Sequence, residues 1–251
     1  GEIEDLTKLI RPHIGVITNI GEAHIENFKN IKGIAEAKSE IIKNIQKNGT
    51  IILNRDDKFF NYLEKKAKLK NLNVVTFGVN ENSDICLKKI ISNKNNKVLT
   101  IRIISQTLKI IINNINYYNV LSSLALFKVL NLKFSQILNF YKNIEPTEGR
   151  GKIHKIYRYK KKFNLIDESY NANPLSVKNA IRNFNSIKKE NFKKYLLLGD
   201  MLESGHKSIE LHKGISKVIN NSDIDKVFIK GIKTLNTYKY IIKNKRGNIL
   251  Q

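Results

Sequence analysis

The run Asp167-Glu168-Ser169-Tyr170-Asn171-Ala172-Asn173-Pro174 gathers an acidic pair and two carboxamides into eight residues, and Gly149-Arg150-Gly151 precedes it. Carboxylates and carboxamides grip hydroxyl and amine groups, and a guanidinium between two glycines can clamp a phosphate bidentately. The plain alternative for Arg150 is a surface arginine in a linker. Phe163 to Ile166 reads as a short buried strand, Asn173 is a good N-cap, and Pro174 suits the first helical position, where its missing N–H costs nothing. Val177, Ala180, Ile181 and Phe184 then recur at helical spacing, so a helix follows. The polar turn is thereby set at the carboxyl end of a strand, where open α/β sheets bind ligands.

Other side chains carry both a chemical and an ordinary reading. Lys38 falls on the apolar stripe Ile34, Ala37, Ile41 and Ile45 of a predicted helix. It either snorkels its ammonium to water or, if buried, becomes a neutral amine able to take up carbon dioxide as a carbamate. His24 follows a strand end in Gly21-Glu22-Ala23-His24; by itself it is an ordinary polar residue, and magnesium prefers oxygen ligands. Asn54-Arg55-Asp56-Asp57 ends another strand, where a plain turn or helix cap competes with any ligand role. Asn116 and Asn119 flank the start of an apolar helix and fit capping. Asp200 follows a strand in Leu198-Gly199-Asp200-Met201, and His206 and His212 receive no role.

These residues sit on alternating elements. Ile14 to Ile20, Thr50 to Leu53 and Val74 to Phe77 read as strands, separated by helices over Ile31 to Ile45 and Lys58 to Lys68, which implies a parallel α/β sheet. The pattern turns β-rich between Asp84 and Ile112, and helices follow at Tyr117 to Leu130 and Ser135 to Tyr141. Glu145 to Gly149 has linker composition. A second α/β unit begins there, with strands at Tyr195 to Leu198 and Lys226 to Ile229 about a helix near Ser208 to Ile219. The expected division is 1–147 and 148–251.

The chain has 251 residues, 41% hydrophobic and 27% charged, which suits a folded protein with room for two domains. No apolar run approaches the roughly 18–20 residues needed to cross a bilayer, so a soluble protein without a membrane partner is expected. The single cysteine, Cys86, suits a cytoplasmic location. A net charge of +23, from 45 basic and 22 acidic residues, raises a nucleic-acid-binding module as an alternative. The lysines are scattered along every segment without an RNA-binding or zinc-finger pattern, so no nucleic-acid partner is expected.

The octapeptide, with Gly149-Arg150 before it and Leu198-Gly199-Asp200-Met201 after it, resembles the ATP-dependent Mur ligases. The likeness continues through Gly1-Glu2-Ile3, Thr18-Asn19-Ile20-Gly21, Ala23-His24, Ala37-Lys38-Ser39-Glu40-Ile41, Asn54-Arg55-Asp56-Asp57 and Asn116 to Asn119. Ser-Tyr-Asn-Ala-Asn-Pro is most similar to the members that join D-alanyl-D-alanine to UDP-N-acetylmuramoyl-tripeptide. The tripeptide-forming Mur ligases and folylpolyglutamate synthetase are the enzyme alternatives, and the turn from Tyr170 to Pro174 argues against both.

The resemblance implies a central ATP-binding domain, a parallel sheet with helices plus a small β-rich part, followed by a Rossmann-like domain. It further implies ATP and Mg2+, activation of a carboxylate as an acyl phosphate, attack by the dipeptide amine, and a monomeric enzyme. Lys38 would be carbamylated and organise magnesium, with His24 contacting the second ion. Asn54 and Asp57 would lie by the adenine, with Arg55 in place of the usual alanine. Asn116 and Asn119 would touch nucleotide, Arg150 the γ-phosphate and Glu168 the ribose. Tyr170, Asn171, Asn173 and Asp200 would line the amine-substrate side. Closure about Glu148 to Gly151 would complete the site. The phosphate-cradling Gly-x-x-x-x-Gly-Lys-[Ser/Thr] loop of such ligases is not in these residues, and Gly1 is no initiator methionine. The loop is therefore expected upstream of Gly1, further sequence after Gln251, and no competent catalysis from these 251 residues alone.

Overall fold

The computed structural model describes residues 2–22, 25–93, 96–104, 106–113, 115–138 and 140–250. The chain forms two compact units, one of residues 1–20 and 32–147 and the other of residues 21–31 and 148–251.

The first unit opens with α1 (Glu2–Ile10) and β1 (Ile14–Ile17). It continues through α2 (Ile31–Asn44, whose first residue groups with the other unit), β2 (Thr50–Asn54), α3 (Phe60–Leu69) and β3 (Asn73–Gly78). Then come β4 (Ile85–Ser92), β5 (Lys97–Ile103), β6 (Gln106–Ile112) and α4 (Tyr117–Val129). β1 to β4 pair in parallel, because each return crosses the sheet through a helix or a connecting loop, whereas β4, β5 and β6 are antiparallel neighbours. The β-rich stretch extends the parallel sheet into one six-stranded sheet in the order β1-β2-β3-β4-β5-β6. Ile52, Phe77, Leu99, Ile101 and Ile110 of its strands bury against Val120, Leu121, Leu124 and Ala125 of α4.

Ser135 to Tyr141, expected as one helix, is instead a 3-10 turn over Phe134–Gln136 and a single turn, α5 (Phe140–Asn143). Ile137 and Tyr141 are buried in the first core, so tertiary packing rather than helical continuity uses the apolar residues there. On α2 the buried residues are Ile34, Ala35, Ser39 and Ile42; Lys38, one turn after Ile34 and one turn before Ile42, falls within that packed arc and is itself half-buried.

The second unit holds β7 (Lys152–Arg158), β8 (Lys161–Asp167), α6 (Pro174–Ser186), β9 (Tyr195–Leu198), α7 (Ser208–Asn220), β10 (Lys226–Lys230), α8 (Leu235–Tyr238) and β11 (Arg246–Leu250). β9, β10 and β11 form a parallel sheet in the order β11-β10-β9, and Val227, Ile229, Leu198, Ile215, Ile219 and Ile181 share its core. β8 covers the strand expected at Phe163 to Ile166, but it pairs with β7 as an antiparallel hairpin outside that sheet. Phe163 is 49% exposed and Leu165 47%, which corrects the expectation of a buried strand. Alternation reports which residues share a face; whether another layer covers that face is a tertiary matter.

Candidate functional site

In the first unit the turn after β2 is built from its own polar side chains. Asn54 donates from Nδ2 to the Thr18 carbonyl at 3.1 Å and accepts the Asp56 N–H on Oδ1 at 3.0 Å, tying the carboxyl end of β2 to the segment leaving β1. Asp57 accepts the Ile20 N–H at 2.6 Å and the Phe59 N–H at 2.8 Å. Asp56 accepts the N–H groups of Val79 and Asn80 at 2.6 and 3.0 Å and the Tyr118 hydroxyl at 3.1 Å. Burial, followed by the neighbouring Tyr117 and Asp56, raises the Tyr118 phenol, so it stays protonated and donates. Asp56 and Tyr118 are the organising pair that sequence reasoning passed over. Arg55 stacks on the Phe60 ring at 4.9 Å, which accounts for a long side chain where an alanine was expected.

Lys38 is half-buried and donates from Nζ to the Asn19 carbonyl at 3.0 Å. Burial lowers its pKa, and the Asp57 carboxylate works in the opposite direction. The amine is therefore held near the carboxyl end of β1, and burial makes it easier to deprotonate than a free lysine. His24 lies outside the described residues. Asn116 is the N-cap of α4, accepting the Tyr118 N–H at 2.9 Å, and Asn119 is exposed one turn into that helix.

In the second unit Asp167 shapes the turn. Its oxygens accept the Gly149 N–H at 3.1 Å and the Ser169 N–H at 3.0 Å, while its carbonyl accepts the Gly151 N–H at 2.7 Å. The Tyr170 N–H returns to the Gly149 carbonyl at 3.1 Å. Gly149 has φ +71°, and a Cβ there would lie 2.8 Å from the Tyr170 backbone nitrogen, so both its conformation and its neighbour require glycine. Hydrogen bonding to Ser169 comes first in holding the Asp167 carboxyl below its usual range.

This frame presents the predicted residues in different ways. Arg150 is exposed, with its guanidinium 4.2 Å from the Tyr170 ring centre, so a mobile side chain is steadied without losing its donors. Glu168 is raised by partial burial first and then by Asp167, with Arg150 opposing. Tyr170 is 68% exposed and Asn171 is exposed beside it. Asn173 is the N-cap of α6 in a capping box with Ser176, accepting its N–H at 2.9 Å. Asp200 turns its carboxylate to the segment after β10, accepting the N–H groups of Thr234 and Lys233 at 2.8 and 3.3 Å. Glu148 pairs with His154 at 3.2 Å and with Lys152, and one ligand atom each from Glu148, His154 and Asp167 lies within 4.8 Å of the others.

The arrangement offers a half-buried lysine at one strand end and an exposed arginine beside a carboxyl of raised pKa in the other unit. Known proteins share this order of elements. The Mur ligase middle domain matches residues 1–127, and the Mur ligase glutamate ligase domain matches residues 153–240. The UDP-N-acetylmuramoyl-tripeptide--D-alanyl-D-alanine ligase of Rickettsia prowazekii is 32% identical over 96% of this chain and 52% of its own length. The protein of that name from Buchnera aphidicola subsp. Baizongia pistaciae is 30% identical over 92% of this chain and 49% of its own. The crystal structure of MurF ligase from Thermotoga maritima in complex with ADP superposes with a TM-score of 0.82 at 23% identity, covering 100% of this chain and 55% of that one, and so speaks to the fold. This chain spans about half the length of the curated relatives it matches. With the middle domain matching half of the residues and the glutamate ligase domain following it in order, the chain belongs to the Mur ligase family.

Proposed function

We propose that the protein carrying this chain joins D-alanyl-D-alanine to UDP-N-acetylmuramoyl-tripeptide at the expense of ATP, in the synthesis of peptidoglycan precursor. The observation that carries the reading is the turn from Asp167 to Pro174. Asp167 and Asn173 absorb the backbone's hydrogen-bonding demand, and Arg150, Tyr170 and Asn171 remain exposed for ligands. The activity for which relatives matching more than nine-tenths of the chain are named supports the substrates. The ADP bound by the Thermotoga maritima relative supports the nucleotide.

In the proposed reaction a carboxylate oxygen of the tripeptide attacks the γ-phosphorus of ATP and ADP leaves. The dipeptide amine then attacks the acyl carbon, loses a proton, and inorganic phosphate departs. The first step brings two anions together, and Arg150 offsets that repulsion with a fixed charge and a fork of donors. Glu168, exposed beside Arg150 and with a carboxyl raised from its ordinary value, accepts from ribose hydroxyls. Asn54, Asp57, Asn116 and Asn119 border the nucleotide, the first three through the turn and cap that their own hydrogen bonds hold in shape.

The neutral amine of Lys38 combines with carbon dioxide and releases a proton, giving a carbamate whose oxygens suit a hard cation. That carbamate and His24 would hold Mg2+, which when bound neutralises phosphate charge. No helix among the described residues is long and apolar enough to cross a membrane, and Cys86 is buried and free; the working form proposed is a cytoplasmic monomer.

The test is phosphate release by the full-length protein. Release that requires both UDP-N-acetylmuramoyl-tripeptide and D-alanyl-D-alanine, with the pentapeptide product identified by mass, supports the proposal. ATP cleavage indifferent to the dipeptide overturns it.

A further inference from the structure

His212 is fully buried in α7, and both of its ring nitrogens are committed. Nδ1 lies 2.7 Å from the Ser208 carbonyl one turn earlier, and Nε2 lies 3.0 Å from the backbone nitrogen of Met201. A carbonyl only accepts and an amide N–H only donates, so both ends require the same neutral tautomer, with the proton on Nδ1 and the lone pair on Nε2. The Thr237 hydroxyl donates to the His212 carbonyl at 2.7 Å, joining this turn of α7 to α8.

Met201 belongs to the segment from Gly199 to Ser204, which leaves the carboxyl end of β9. That segment is held from three sides. The Asp200 carboxylate accepts from Thr234 and Lys233 and packs over Gly231, whose φ is +114° and where a Cβ would lie 2.3 Å from Asp200 Oδ1. The Ser204 hydroxyl returns to the Met201 carbonyl at 3.0 Å, and His212 takes the Met201 N–H. Met201 itself is 1% exposed, whereas its neighbour Leu202 is 65% exposed. The segment thus presents a crest of fixed shape at the strand ends where open parallel sheets take ligands.

We propose that His212 is a positioning residue: through its bond to Met201 it holds the Gly199–Ser204 segment in the shape that receives the dipeptide amine substrate. This rests on the function proposed above. An apolar replacement leaves the Met201 N–H without its acceptor in a dry site, whereas the Ser208 carbonyl keeps its helical bond, and the segment then shifts to find another acceptor. Glutamine at the same place can still offer an acceptor oxygen to Met201.

The experiment is steady-state kinetics on the full-length protein with His212→Ala and His212→Gln. His212→Ala is expected to raise KM for D-alanyl-D-alanine about tenfold while KM for ATP stays within about twofold, and His212→Gln to recover most of the loss. An unchanged dipeptide KM in His212→Ala, or an equal rise in both KM values, overturns the inference. Should the alanine variant not fold, nitrogen-15 NMR of the wild-type imidazoles decides: the neutral tautomer protonated at Nδ1 supports it, and protonation at Nε2 overturns it. A wild-type protein without dipeptide-dependent ATP cleavage overturns the proposed reaction and the dipeptide assignment together. An active wild type with an unaffected variant overturns the role of His212 alone.

Discussion

The turn after β2 and the turn after β8 are both polar, yet they use their side chains in opposite ways. Between Asn54 and Asp57 the carboxylates and the carboxamide are spent on backbone N–H groups and a carbonyl of the same unit. Between Asp167 and Asn173 the two ends do that work, and the residues from Glu168 to Asn171 are exposed with Arg150 beside them. A polar cluster in sequence is therefore not yet a site: the informative residues are those whose neighbours have relieved them of structural duty. Substitutions should separate the two turns, with stability lost in the first and turnover lost in the second.

The largest effect is expected from Arg150→Ala. With the guanidinium exposed, thermal unfolding should stay unchanged while kcat of the full-length protein falls about 100-fold, the scale set by loss of one preorganised donor group. Full turnover in that variant would break the contrast. Asp56→Ala should do the reverse, removing the acceptor of Val79, Asn80 and Tyr118 and costing about 2 kcal/mol in chemical denaturation. Asn173→Ala, a lost N-cap in the second turn, should cost about 1 kcal/mol with a smaller effect on turnover than Arg150→Ala.

The smallest effect is in pH dependence, and its sign differs between two carboxyls. At Asp84, burial alone would raise the pKa, but the hydroxyl and N–H of Thr76 and the Lys128 ammonium together lower it from 3.8. Its carboxylate thus supports folding above pH 3.8, and that support fades as the pH falls through the lowered folded value. Glu168 is raised from 4.5, so its ionisation opposes folding, and stability attributable to it declines as pH rises through 4.5 to the folded value. Glu168→Gln should remove that decline and change stability by less than about 0.5 kcal/mol while weakening ATP binding. Denaturation curves across pH 3 to 7 for Asp84→Asn and Glu168→Gln would expose the two slopes.

Much of this was legible in local chemistry. Asn173-Pro174 ahead of Val177, Ile181 and Phe184 announces a capped helix, because capping and helical spacing depend on neighbours along the chain, and α6 begins at Pro174. The strands at 50–53, 74–77 and 195–198 lie within β2, β3 and β9 for the same reason. The apolar residues between Ser135 and Tyr141 imitate one helix, yet burial of Ile137 and Tyr141 is satisfied by two short turns.

What the amino-acid order determined by itself was the main alternation of strands and helices, the family and the two polar turns, because propensity, capping and motif spacing are short-range properties. Only the folded chain decided which polar atoms meet. Asp56 reaches Tyr118 across sixty-two positions, Lys38 reaches the Asn19 carbonyl, His212 takes up the Met201 N–H, and the β7–β8 hairpin leaves Phe163 and Leu165 in water. Hydrogen bonds and burial are settled between residues distant in the chain, so their partners follow from packing and not from order.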